Sequence, residues 1–132
     1  MALKRSQITL SDDEMQAFFD EERVVTIATI GPNGRPHLMP LWYVVDKGLI
    51  AGWTFGKSQK VRNLERVPQA TLQIEAGRDR YQELRGVMLE CDVEILRDQA
   101  DVASFRKLAE EKIWPQYKQQ YAEMWDKIVN TK

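Results

Sequence analysis

The stretch "VVTIATIGPNGRPHLMPLWYVV", Val24–Val45, decides the fold. Its first seven residues are rich in β-branched side chains and read as a buried strand, "GPNG" at 31–34 supplies turn residues, and "RPHLMPLWYVV" reads as a returning strand. The pair is a predicted hairpin. Pro36 and Pro40 cannot donate ladder hydrogen bonds, so the second strand is expected to begin irregularly or at an edge, with backbone groups free for something other than a neighbouring strand.

Outward from this hairpin the pattern repeats. "DKG" (46–48) turns into "LIAGWTF" (49–55), "ATLQIEA" (70–76) reads as a fourth strand, and "GRD" as a turn. "YQELRGVMLECDVEIL" (81–96) is predicted to be one long strand with a bend or bulge at Gly86. Before the hairpin, "LSDDEM" opens a helix running to about Glu22, with Ser11 and Glu14 spaced as a capping box and Leu10 placed to staple to Met15. Met15, Phe18 and Phe19 form its apolar stripe. Ser58 is a predicted N-cap for a short helix carrying Val61 and Leu64, which Pro68 stops. Helical periodicity returns over 98–114 and 115–129, with Pro115 suited to a first turn. Tyr117, Tyr121 and Trp125 read there as a packing stripe. These elements predict an α+β fold, an antiparallel β-sheet closed or nearly closed into a barrel with flanking helices, in one domain spanning 1–132.

Composition narrows the function. The 132 residues carry 19 basic and 20 acidic side chains, so no overall field attracts nucleic acid. Cys91 is the only cysteine and His37 the only histidine, which removes an intrachain disulfide and any His- or Cys-rich metal cluster. Cys91 lies in an alternating run and reads as a buried strand thiol; His37 reads as a surface or strand residue. The acidic "SDDE" at 11–14 suits a helix start without a metal. No signal-peptide core or membrane-length apolar run is seen, and a cytoplasmic location is expected.

"WTFGKSQKVRNLERVP" (53–68) breaks this balance. Lys57, Lys60 and Arg62 stand at a helix start that already carries roughly half a positive charge. With Thr54, Ser58 and Asn63 as neutral partners, they form the donor set of a phosphate site. The alternative reading is a solvated cluster, with Arg62 and Arg66 paired to Glu65 or to the acids of the first helix.

The order of these motifs resembles the split-barrel flavoproteins of the pyridoxamine 5'-phosphate oxidase-like superfamily, including the flavin/deazaflavin oxidoreductases, over roughly Glu22 to Leu96. The resemblance rests on the G-x-P-H-x-x-P-x-W pattern of the hairpin, on "WTFGKSQKVRNLERVPQATLQI", and on the "Y-x-x-x-x-G" of "YQELRG". It implies an FMN-binding split barrel, a homodimer with a flavin-type cofactor at each subunit boundary, and hydride or electron transfer to a small-molecule substrate. By position, Lys57, Ser58 and Lys60 would hold the cofactor phosphate, supported by Thr54 and Asn63. Pro40, Leu41 and Trp42 would run beside the ring, and Tyr81 would lie near the partner's cofactor. FMN is the expected cofactor and coenzyme F420 its alternative, with Arg35, Arg62 and Arg78 as further cations for the longer tail. A non-catalytic module holding flavin, haem or a bilin is the competing reading, and a purely structural interaction protein a third. Two departures speak against pyridoxamine phosphate oxidation: Glu83 stands where the oxidase branch has an arginine, and the C-terminal tryptophan and arginine signature is not recognisable. No catalytic side chain is assigned, and none is demanded when the cofactor carries the chemistry.

Overall fold

In the computed structural model of the chain, residues 10–112 are described; the Tyr117, Tyr121 and Trp125 stripe, the helix expected from Pro115 and the missing C-terminal signature lie outside them. Helix α1 (Asp12–Glu21) is followed by β1 (Val24–Ile30), β2 (Pro36–Asp46), β3 (Leu49–Gly52), α2 (Gln59–Arg66), β4 (Gln69–Ala76), a 3-10 turn (Tyr81–Glu83), β5 (Arg85–Asp92) and α3 (Gln99–Lys112). The strands form one antiparallel sheet in the order β3-β2-β1-β4-β5, curled into half a barrel. The expected split barrel is present, open between β3 and β5, which are the two ends of the sheet among the described residues.

Local chemistry sets the elements. The capping box of α1 is present, with the Glu14 N–H donating to Ser11 Oγ and the Ser11 N–H to Glu14 Oε1, both at 3.2 Å. The β1–β2 hairpin is closed by Gly31 N–H to the Arg35 carbonyl at 2.8 Å, with Gly34 at φ 80°. Along β1, Val25, Ile27 and Thr29 are buried. Their face meets Ala70, Leu72 and Ile74 of β4 and Tyr43 of β2, with Phe18 of α1 and Leu64 of α2 packed into the same core. On the opposite face, Trp42, Val44, Ala51 and Trp53 pack under Val102, Phe105 and Leu108 of α3. Each aliphatic side chain so buried contributes about 1.5–3 kcal/mol.

Two expectations about β5 are corrected. Residues 81–83 form a 3-10 turn instead of strand, and the ladder to β4 covers only Arg85–Asp92 because β4 itself ends at Gln69 and Ala76. Gly86 sits opposite Glu75 in unbroken register, so no bulge occurs there. The constrained glycine is Gly77 (φ 82°), where an added Cβ would lie 2.0 Å from the Glu83 carbonyl oxygen.

Tyr43, fully buried, donates from its hydroxyl to the Phe19 carbonyl at 2.7 Å, tying β2 to the end of α1. Burial above all, and then the charges of Glu22 and Asp20, push its pKa well up. The folded state therefore retains a proton that the unfolded chain gives up near pH 10, and this contribution to stability is lost as pH rises beyond that value. Tyr43→Phe should cost about 1–3 kcal/mol in denaturant unfolding at neutral pH and should flatten the decline in stability above about pH 10.

Candidate functional site

The contrast between α1 and α2 defines the site. Helix α1 offsets its positive end with Asp12, Asp13, Glu14 and a complete capping box. Helix α2 has no acidic residue in its first turn, and although Ser58 occupies the N-cap position in extended conformation, its side chain makes no capping bond. Its hydroxyl lies instead 3.4 Å from Thr54 Oγ1. The expected cap is thus corrected, and the first-turn N–H groups keep their capacity to donate outward.

Beside that helix start, Lys60 is only 9% exposed. It has neither ion pair nor hydrogen bond among the described residues. Burial lowers its pKa, the direction expected when an ammonium loses water without gaining an anion. Lys57 is exposed and Ser58 half-buried. Asn63 is fully buried behind them, its amide donating to Thr29 Oγ1 at 3.1 Å and accepting from Gln59 Nε2 at 2.9 Å. Asn63 therefore acts on α2 by anchoring it to β1. Thr29 and Gln59, its partners, have no motif of their own in the sequence, and the one signal for Thr29 is a polar residue at an inward position of "VVTIATI".

Of the solvated-cluster alternative, the exposure of Lys57 and Arg62 is found, whereas Lys60 is buried and the expected ion pairs of Arg62 and Arg66 are not formed among the described residues. Glu65 pairs with Arg97 at 3.2 Å, and the Arg66 guanidinium donates to the Ile30 carbonyl. The cations of α2 are left without a neighbouring carboxylate partner among the described residues.

Strand β2 supplies the second part of the site. Its register with β1 runs from Ile30 opposite Pro36 to Val24 opposite Trp42, whereas β3 pairs only with Tyr43–Asp46. Among the described residues, 36–41 therefore have a strand on one side only, the edge-like beginning expected from the two prolines. Tyr43 N–H donates to the Arg23 carbonyl at 2.9 Å, on the β1 side. By alternation the backbone groups of Leu38 and the carbonyls of Pro36 and Pro40 point to the open side. Pro40 is exposed and Leu41 half-buried against the core. The Trp42 ring is committed elsewhere, edge-on to Trp53 with centroids 6.4 Å apart under α3.

Tyr81 is 86% exposed in the turn between β4 and β5. Tyr81 makes no hydrogen bond or ion pair with Lys57, Lys60 or Pro40 among the described residues.

A curled antiparallel half-barrel with this helix inserted after β3 is a split-barrel protein. The chain belongs to the family described as pyridoxamine 5'-phosphate oxidase, whose model matches residues 11–129. It is similar to the conserved hypothetical protein Rv2991 from Mycobacterium tuberculosis, with 35% identity and a TM-score of 0.82 over 98% of this chain and 81% of that one. HutZ, the haem storage protein from Vibrio cholerae, shares the fold at 16% identity, TM-score 0.66, over 90% of this chain and 81% of its own. An F420 reductase does so at 21% identity, TM-score 0.61, over 76% and 77% respectively. No curated protein gives a match. No helix among the described residues is long and apolar enough to cross a membrane.

Proposed function

We propose that this chain is a cytoplasmic, single-domain oxidoreductase that binds FMN, or coenzyme F420 in its place, at the boundary of a homodimer and acts on a small-molecule substrate. The observation that carries the reading is Lys60: a buried cation with no partner among the described residues, beside a helix start lacking both acid and cap. An anionic phosphate supplies what that arrangement lacks. Lys57, Ser58 and Lys60 hold it, with Thr54 oriented toward Ser58 and Asn63 fixing α2 from behind. The ring lies along Pro40, Leu41 and Trp42, where the open side of β2 offers backbone donors and acceptors. When bound, such a cofactor supplies hydride or electron transfer, while the chain grips, orients and shields it.

Dimerisation has its own support. Val24, Ile30, Leu38 and Met88 are large, exposed and apolar. They share the outer sheet face with the α3 cluster, beyond its cover. Covering that face with a second copy buries the patch, and Tyr81, exposed in its turn, meets the partner's site.

A non-catalytic carrier of flavin, haem or a bilin is the second reading, prompted by the fold shared with HutZ. Mass spectrometry and absorption spectra of ligand released from protein purified out of its native host separate a haem or bilin carrier from the oxidoreductase, and turnover of the bound flavin with a reductant and an acceptor separates a flavin carrier from it. FMN or F420 is the expected mass; a haem Soret band overturns the oxidoreductase reading.

A further inference from the structure

His37 carries the only fully buried side-chain nitrogen or oxygen without a hydrogen bond among the described residues, its Nδ1. Buried polar atoms in folded proteins are paired as a rule, and an unpaired one asks for a partner. Its position says which. His37 is the cross-strand neighbour of Thr29, with Cβ atoms about 5 Å apart. Thr29 Oγ1 accepts from Asn63 of α2. Lys60 precedes Asn63 by three residues, on the same face of the helix, with Cβ atoms about 5–6 Å apart. The bonded pair Asn63–Thr29 is thus flanked by the Lys60 ammonium on the helix side and by His37 on the strand side, and neither the ammonium nor Nδ1 has a partner among the described residues.

We infer that His37 is a ligand-binding residue whose Nδ1–H donates to the same bound anionic group that Lys60 engages. The inference rests on the phosphate reading of α2 and extends it across to β2. A bound group spanning the two donors satisfies both and clamps α2 against the hairpin. A buried nitrogen serving only the fold would already have its partner; Nδ1 has none among the described residues.

The test uses the full chain titrated with FMN and with F420, alongside melting of the unliganded protein. His37→Leu should bind the preferred cofactor at least about tenfold more weakly, with an unliganded melting temperature at or above that of the parent, because it removes an unpaired group. His37→Asn, which keeps an amide donor near the Nδ1 position, should hold affinity within about threefold. Unchanged affinity in His37→Leu, with or without a fall in melting temperature, overturns the inference and leaves His37 a structural residue. Parent-like binding by Lys60→Met overturns the phosphate reading itself, so the two failures are separate.

Discussion

Replacing Lys57 and Lys60 together by alanine is expected to weaken binding of FMN or F420 by at least about 100-fold, because each charge-assisted contact contributes roughly 1.5–3 kcal/mol. Fluorescence titration reads this directly. Binding by the double variant equal to that of the parent would remove the phosphate assignment. Lys60→Met adds a readout that a structural lysine would not give. Burial holds the Lys60 pKa below its ordinary value, so the charged side chain costs the unliganded fold stability at every pH below its folded pKa, and the cost is relieved only as pH rises toward the ordinary lysine range. Near neutral pH, Lys60→Met should therefore raise the melting temperature without ligand while lowering affinity. A residue kept only for the fold would lower the melting temperature.

Gly77→Ala is the change with the largest expected effect on folding. At φ 82° an alanine is strained whatever space surrounds it, and here its Cβ would meet the Glu83 carbonyl oxygen at 2.0 Å and the Leu84 nitrogen at 2.7 Å. Both are backbone atoms of the turn that leads into β5, so no side-chain rotation relieves the clash. A loss of more than about 3 kcal/mol in denaturant unfolding is expected. Gly34→Ala is the control: its φ is 80° but nothing lies within 4 Å of the added atom, and a loss of only about 1 kcal/mol is expected. Equal losses at the two positions would show that backbone conformation alone, without the close approach of the turn, sets the effect.

The ion pairs show how far the site itself could be read. Glu65 lies among the cations of "KVRNLERVP" and by sequence is a natural partner for Arg62 or Arg66, yet it pairs with Arg97, brought alongside only by the path of the chain after β5. Lys57 and Lys60 look alike in the sequence, and only one is buried. Trp42 falls within the motif that the resemblance sets beside the ring, but its indole is taken by Trp53 and α3. His37 reads in the sequence as a surface or strand residue, and it holds a buried nitrogen with no hydrogen bond among the described residues. Each of these depends on a neighbour distant in the chain.

What the sequence determined by itself was local. The β-branched run of 24–30, the "GPNG" turn, the capping box at Ser11 and the stop at Pro68 act through dihedral preferences and hydrogen bonds spanning a few residues, so strands, hairpin and helix ends follow from them. Tertiary structure alone decided where β5 begins, that Gly77 and not Gly86 is irreplaceable, and which cation loses its water. Those outcomes depend on which backbone or side chain arrives from elsewhere, and steric exclusion and desolvation arise only once the sheet has brought distant segments together.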